Sequence, residues 1–182
     1  QAIASGKSAL ARNEKADFEN ITSYQHGING LFIDVQNPAG ELSLDDFSFR
    51  IGNNNSPNGW SAAPEPLEFV VRDGAGTGGS TRVAVTWSNG AVKKTWLEVT
   101  VKANASTGLE TADSFYFGSA VGKTPGDSDA LVGAQDELRI RNNPRGFFNQ
   151  APVDFAYDLN RDGLVNATDQ LIARSNVTGF FS

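Results

Sequence analysis

The sequence contains no cysteine, no methionine and a single histidine among its 182 residues. The missing cysteines remove disulfide staples, thiolate nucleophiles and cysteine-based metal sites, and fit an extracytoplasmic protein. A chain without methionine, even at position 1, reads as a piece of a longer or processed polypeptide. With His26 as the one imidazole, any Ser–His–Asp arrangement would hang on that ring. Its place just before the apolar run Gly30–Val35 favours a structural part. No apolar run approaches the roughly 20 residues that span a bilayer, so membrane insertion is not expected. The stretch Gln1–Ala16 lacks the apolar centre of a signal peptide. Positive charge is also short: 15 Lys and Arg face 21 Asp and Glu, for a net charge of -6. Such a surface repels phosphate backbones, which argues against a nucleic acid partner.

Hydrophobic residues make up 39% of the chain, enough for a packed core. Three textures follow one another. Residues 1–15 are small, polar and charged, and read as a linker or lead-in. Residues 16–107 hold short alternating apolar runs between Gly, Asn, Asp and Pro: Gly30–Val35, Asp46–Ile51, Leu67–Arg72, Arg82–Trp87 and Thr95–Lys102. Val83, Val85 and Trp87 alternate with polar neighbours, and so do Leu97, Val99 and Val101. A period of two means strands with one buried face. Ser88–Asn89–Gly90 lies between two such runs and signals a hairpin. The expected fold class is mainly β: an antiparallel β-sandwich of roughly eight strands. Residues 108–182 follow as a smaller α module, with short amphipathic helices over Ala134–Asn142 and Ala167–Asn176.

The sharpest local pattern runs from Asp158 to Asp169. An EF-hand-type loop needs oxygen ligands at positions one, three, five, nine and twelve, a carbonyl at seven and a glycine at six. Asp158, Asn160, Asp162, Asn166 and Asp169 supply the side chains, Leu164 the carbonyl, and Gly163 the sharp turn. Val165 at position eight is apolar, as expected for a residue tucked beneath the loop. An all-oxygen set without Cys or a nearby His selects Ca²⁺ over zinc. The competing reading is a solvated Asp/Asn turn, but five side chains and a glycine at fixed offsets rarely coincide.

The pattern repeats. Asp129, Leu131, Val132, Ala134, Asp136, Leu138 and Arg141 recur as Asp162, Leu164, Val165, Ala167, Asp169, Leu171 and Arg174, each 33 positions on. Phe115–Gly118 matches Phe155–Asp158 if the first loop is longer; as a strand it would instead extend the sandwich and fuse the two parts into one rigid body. That loop has no acidic residue at position one. Asp127, Asp129, Asp136 and the Leu131 carbonyl remain for a second calcium site, with a backbone oxygen near Gly118 as a replacement ligand. The alternative is a loop held by hydrogen bonds alone.

The duplicated loop–helix pattern resembles the type I dockerin module over roughly the last 70 residues. The Asp at position twelve and the lack of a helix before Asp158 suit that variant. The segments Tyr24–Gly30, Asp46–Asn53, Trp96–Val101 and Phe115–Gly118 resemble secreted multidomain proteins of the planctomycete type. There a carbohydrate-binding or cohesin-like sandwich precedes a C-terminal dockerin. The resemblance implies a secreted, non-catalytic accessory piece of a polysaccharide-degrading enzyme. It also implies an alternative: a cohesin-like protein partner in an assembly, or a cell-surface adhesion role.

For a polysaccharide ligand the chain offers Trp60, Trp87 and Trp96, since indole faces stack on sugar rings. Trp60, in the Asn53–Pro66 loop, is the first candidate platform. Trp96 is the second, with packing as its bland alternative, and Trp87 shares the core stripe of Val83 and Val85. Arg82 is the candidate contact to an anionic glycan, with Arg50 and Arg72 beside it. Asp34, Asp45 and Asp46 are the carboxylates available for glycoside hydrolysis, but acids that open a strand are more often turn formers.

Overall fold

The computed structural model describes residue 4 and residues 6–127 and 129–178. Among the described residues, nine strands and two α-helices follow in chain order. β1 is Leu10–Ala11, β2 Ile21–Thr22, β3 Gly30–Val35, β4 Phe47–Gly52 and β5 Ser61–Ala62. β6 is Glu68–Arg72, β7 Thr81–Thr86, β8 Trp96–Val101 and β9 Asp113–Ser119. Helix α1 spans Ala134–Asn142 and α2 spans Ala167–Ser175. The protein is therefore mainly β, and the two short helices fall where the amphipathic pattern places them.

The strands form two sheets. The larger runs β1-β9-β8-β4-β5, with β2 also paired to β9; the smaller runs β3-β7-β6. Every ladder is antiparallel except β2 with β9. Alternation decides which side chains turn inward. Val83 and Val85 of β7, and Leu97, Val99 and Val101 of β8, are all buried. With Ile33, Val35, Phe47 and Trp87 they belong to one apolar cluster fed by both sheets. At about 1.5–3 kcal/mol per fully buried large aliphatic side chain, this cluster is the main stabilising element. Trp87 lies within it and donates its indole N–H to the Pro64 carbonyl at 2.9 Å.

Three features depart from the sequence pattern. First, Ser88–Gly90 does not join a hairpin. β7 already has β3 and β6 on its two sides, and β8 has β4 and β9, so the 87–95 segment crosses from one sheet to the other. The turn is closed by the Ala91 N–H on the Ser88 carbonyl at 3.0 Å. Second, β9 lies past residue 107 and fills the sheet position between β1 and β8, so of the two readings of Phe115–Gly118 the strand holds. Its Phe115 and Phe117 face Val99 and Leu97 and pack on the same core. Third, Leu10–Ala11, within the expected lead-in, pair with β9, and the Lys7 ammonium lies 3.4 Å from the centroid of the Phe18 ring.

The tail has a separate small core: Ile140, Leu159, Val165 and Ala173, flanked by Phe155, Tyr157 and Ile172. Among the described residues this cluster holds four buried apolar side chains, a small core for an independent unit. The tail also leans on the β region: the Gln25 N–H donates to the Leu159 carbonyl at 2.8 Å. Glu137 of α1 pairs with Arg141 on its own helix and with Arg174 on α2, which ties the helices together.

Asp46 shows why an acid opens β4. In the turn Leu44–Asp46 its Oδ2 accepts from the Ser43 N–H at 2.7 Å and its Oδ1 from the Asn104 amide at 2.9 Å. The Ser43 N–H bond, helped by Asn104, the Ser43 hydroxyl and Lys102, holds this carboxyl below its ordinary value despite burial. A depressed folded value means the stabilisation is present above the unfolded value and is lost as pH falls through the folded one. Asp46→Asn should therefore lower stability at neutral pH and flatten the acid limb of the stability–pH curve, read by urea unfolding from pH 7 to 2. Leu97→Ala should cost about 2–5 kcal/mol in the same assay. Leu138→Ala, at a 42% exposed helix position, should stay within about 0.5 kcal/mol.

Candidate functional site

The second tail loop closes on its own backbone. Asp158 Oδ1 accepts from the Arg161 N–H at 2.7 Å and Oδ2 from the Gly163 N–H at 2.9 Å. The chain turns at Arg161 (φ +62°) and Gly163 (φ +83°). The second is the position where a side chain would strain the turn. Asp162 accepts from the Leu164 N–H and from the Asn160 amide, both at 2.8 Å. Asn166 caps α2 by accepting from the Thr168 N–H at 2.7 Å. Asp169 clamps both ends of the loop: Oδ1 takes the Leu159 N–H at 2.8 Å and Oδ2 the Asn166 N–H at 3.0 Å. Val165 is buried in the tail core beneath it.

Asp158 and Asp169 are both buried. Burial pushes the Asp158 carboxyl up, and the charges of Asp169 and Asp162 push the same way, against the Gly163 and Arg161 N–H bonds. The Arg161 guanidinium donates to the Phe155 carbonyl at 2.6 Å. Among the described residues no three His, Cys, Asp or Glu side chains form a metal-holding group. In this loop the carboxylates turn onto backbone N–H groups, and the remaining expected donors are amide and carbonyl oxygens. Each carboxylate oxygen that accepts one such bond retains acceptor capacity.

The first loop has the same frame with different contents. Asp136 is buried and plays the part of Asp169: Oδ1 accepts from the Thr124 N–H and Oδ2 from the Gly133 N–H, both at 2.8 Å. Leu131 N–H donates to Asp129 at 2.9 Å, as Leu164 does to Asp162. Thr124 stands where Leu159 does, each donating its N–H to Oδ1 of its loop's buried Asp, which puts Lys123, not a residue near Gly118, at position one. Gly118 is the last but one residue of β9, paired to Ile21 and Trp96. The Lys123 ammonium meets three of the four expected ligand groups. It lies 2.8 Å from Asp129 Oδ1, 2.8 Å from the Leu131 carbonyl and 3.3 Å from Asp127 Oδ2. Arg139 also binds Asp127 through both its Nη atoms. The Arg139 bond, aided by Lys123, holds Asp127 well below the usual carboxylate range.

The repeat continues past the helices. Val165 exchanges N–H bonds with Arg145, at 3.0 and 3.2 Å. Val132 accepts from the Thr178 N–H at 2.9 Å and donates to the Thr178 hydroxyl at 3.0 Å. Each loop is thus pinned by the segment that follows the other half's helix.

On the β region, the candidate sugar-binding side chains do not converge on one place. Trp60 and Trp96 share the outer face of the larger sheet. Trp60 lies over Gly52, where an added Cβ would come within 2.3 Å of its ring, so only glycine admits the indole. Its Nε1 donates to Asn54 at 3.1 Å, and its ring meets Tyr116 edge-on at 5.9 Å. Arg50, Glu98 and Tyr116 form one row across β4, β8 and β9. The Tyr116 hydroxyl donates to Glu98 Oε1 at 3.0 Å, and Arg50 Nε lies 3.6 Å from Oε2. Burial first, then Glu98, raises the Tyr116 phenol. Glu98 and Tyr116 were not singled out in the sequence, although β alternation puts Glu98 on the face of Trp96. Trp96 packs its ring edge against Gly118. Arg82 stands apart on the outer face of the smaller sheet. It is held by Asp34 at 2.7 and 2.8 Å and stacked over Phe32 at 5.0 Å. His26 packs edge-on against Tyr24 at 5.2 Å.

Comparison of the chain with protein-family models, curated proteins and solved structures found no match.

Proposed function

We propose that this chain is a non-catalytic, secreted polysaccharide-binding piece of a larger enzyme, with a β-sandwich as its binding unit and a dockerin-like tail stiffened by calcium. The observation that carries the sugar-binding reading is Trp60, half-buried over Gly52 on the sheet's outer face, with the Arg50–Glu98–Tyr116 row close by. A flat indole beside charged and hydroxyl groups suits a sugar ring. The apolar C–H face stacks, and the hydroxyls or sulfates meet polar neighbours. Arg82, paired with Asp34 on the other sheet through Nε and Nη2, is not part of this face in our reading.

The residues of the second loop fit a hard divalent ion. Two buried carboxylates, Asp158 and Asp169, lie close enough for their charges to couple, and every expected donor is oxygen. Bound calcium would supply the positive charge that relieves this repulsion. Asp158, Asn160, Asp162, Leu164, Asn166 and Asp169 are the residues that would hold it. The protein's own work is to keep Asp158 and Asp169 in place by backbone N–H bonds and to anchor Val165 beneath them.

A second reading, docking to a cohesin-like partner, is favoured by one observation. Leu138 and Leu171 occupy matching places in α1 and α2 and are 42% and 55% exposed. An assembly role would use these leucines with Arg141 and Arg174; loss of a pull-down on Leu138→Ala/Leu171→Ala would favour it.

Affinity electrophoresis in gels of neutral and sulfated polysaccharides should show retardation that disappears in Trp60→Ala. It should also weaken at least tenfold in Gly52→Ala, which drives the indole off the sheet, and be unchanged in Arg82→Ala. Retention of full binding in Trp60→Ala would end the proposal. Calcium at about 100 times its dissociation constant should add about 2.7 kcal/mol to stability. Calorimetry should show this gain in the wild type, and chelator or Asp158→Asn should remove it.

A further inference from the structure

We infer that the first tail loop carries its own cation: the Lys123 ammonium fills the place a divalent ion would take, so this half of the tail is calcium-independent. The inference deepens the reading of the tail as a duplicated calcium-loop module, and the first-loop residues do not fit the metal.

Lys123 is only 1% exposed, among the most deeply buried side chains of the protein. A buried ammonium is tolerated only where its charge is met and its protons are bonded. Here all three protons have an acceptor: Asp127, Asp129 and the Leu131 carbonyl. These are three of the four ligands the sequence pattern assigns to an ion in this loop. The fourth, Asp136, is taken up by the Thr124 N–H, the Thr124 hydroxyl and the Gly133 N–H.

The charges also balance differently in the two loops. In the first loop three acids, Asp127, Asp129 and Asp136, face two bases, Lys123 and Arg139. In the second loop Asp158, Asp162 and Asp169 gather where position one is itself acidic, and the Arg161 guanidinium turns to a backbone carbonyl. The equivalence of Thr124 with Leu159 therefore exchanges an acid, Asp158, for a base, Lys123, at the same point of the frame. Calcium needs six to eight oxygens at about 2.3–2.6 Å. To reach these oxygens it would have to expel an ammonium within bonding distance of the same atoms, because two cations repel strongly in a buried site. The loop is two residues longer between position one and Asp136 than between Asp158 and Asp169. The extra length lets Lys123 reach back across it.

The test uses the whole chain with ¹⁵N-labelled lysine and backbone. In chelator, the Lys123 ammonium should give a slowly exchanging NMR signal, and the Leu131 and Gly133 amides should be protected from exchange. Ten millimolar Ca²⁺ should leave all three unmoved while shifting Gly163. Titration calorimetry should give one calcium per chain, and Asp158→Asn should bind none. Lys123→Met should lose first-loop protection and Lys123→Arg should restore part of it. Displacement of the lysine signal by calcium, or a calcium bound in Asp158→Asn and lost on adding Asp129→Asn, would overturn the inference. If no calcium binds anywhere, the second-loop reading fails. The lysine reading then still stands or falls on the chelator-state signal and on first-loop protection in Lys123→Met.

Discussion

Carboxylates drawn into a tight turn repel one another and lose their water, so a folded acidic loop needs positive charge or N–H dipoles to face them. The tail is built around this constraint, met in two ways. In the first loop Lys123 and Arg139 match Asp127 and Asp129. In the second, backbone N–H groups bear most of the load, and Asp158 remains pushed toward its protonated form by burial and by its neighbours.

The tail is joined to the sheets through the chain that leaves β2. The Ala120 and Gly122 N–H groups bond to Thr22 and Ser23 at 3.0 and 3.2 Å, and the Gln25 N–H reaches Leu159 at the rim of the second loop. Any change in that loop is thereby adjacent to the β region.

Where function is proposed for the β region, geometry sorts the candidates. A strand periodicity of two places Trp96 outward, and the register brings it beside Gly52 and Gly118. Trp60, from a loop, drops onto the same face because Gly52 has no side chain. Arg82 is also outward, but on the other sheet, where Asp34 directly opposite it in β3 takes both guanidinium contacts. The alternation that puts Trp96 and Arg82 outward could not say that they lie on different sheets, or that Trp60 joins Trp96.

The sequence by itself determined the local elements. Alternation marked the inner faces of β7 and β8, short amphipathic patterns marked α1 and α2, and a 33-residue echo marked the paired loops. These are periodic or short-range signals, set by neighbours a few residues away. Only the tertiary structure decided that β7 and β8 part at Ser88–Gly90, because which strand pairs with which depends on partners far off in the chain. It also decided that β9 belongs with the sheet rather than the tail, since Phe115 and Phe117 find their apolar contacts on β8. And it placed Lys123 among Asp127, Asp129 and Leu131: a long flexible side chain can serve a loop from outside the motif's spacing, and no fixed offset in a sequence records that reach.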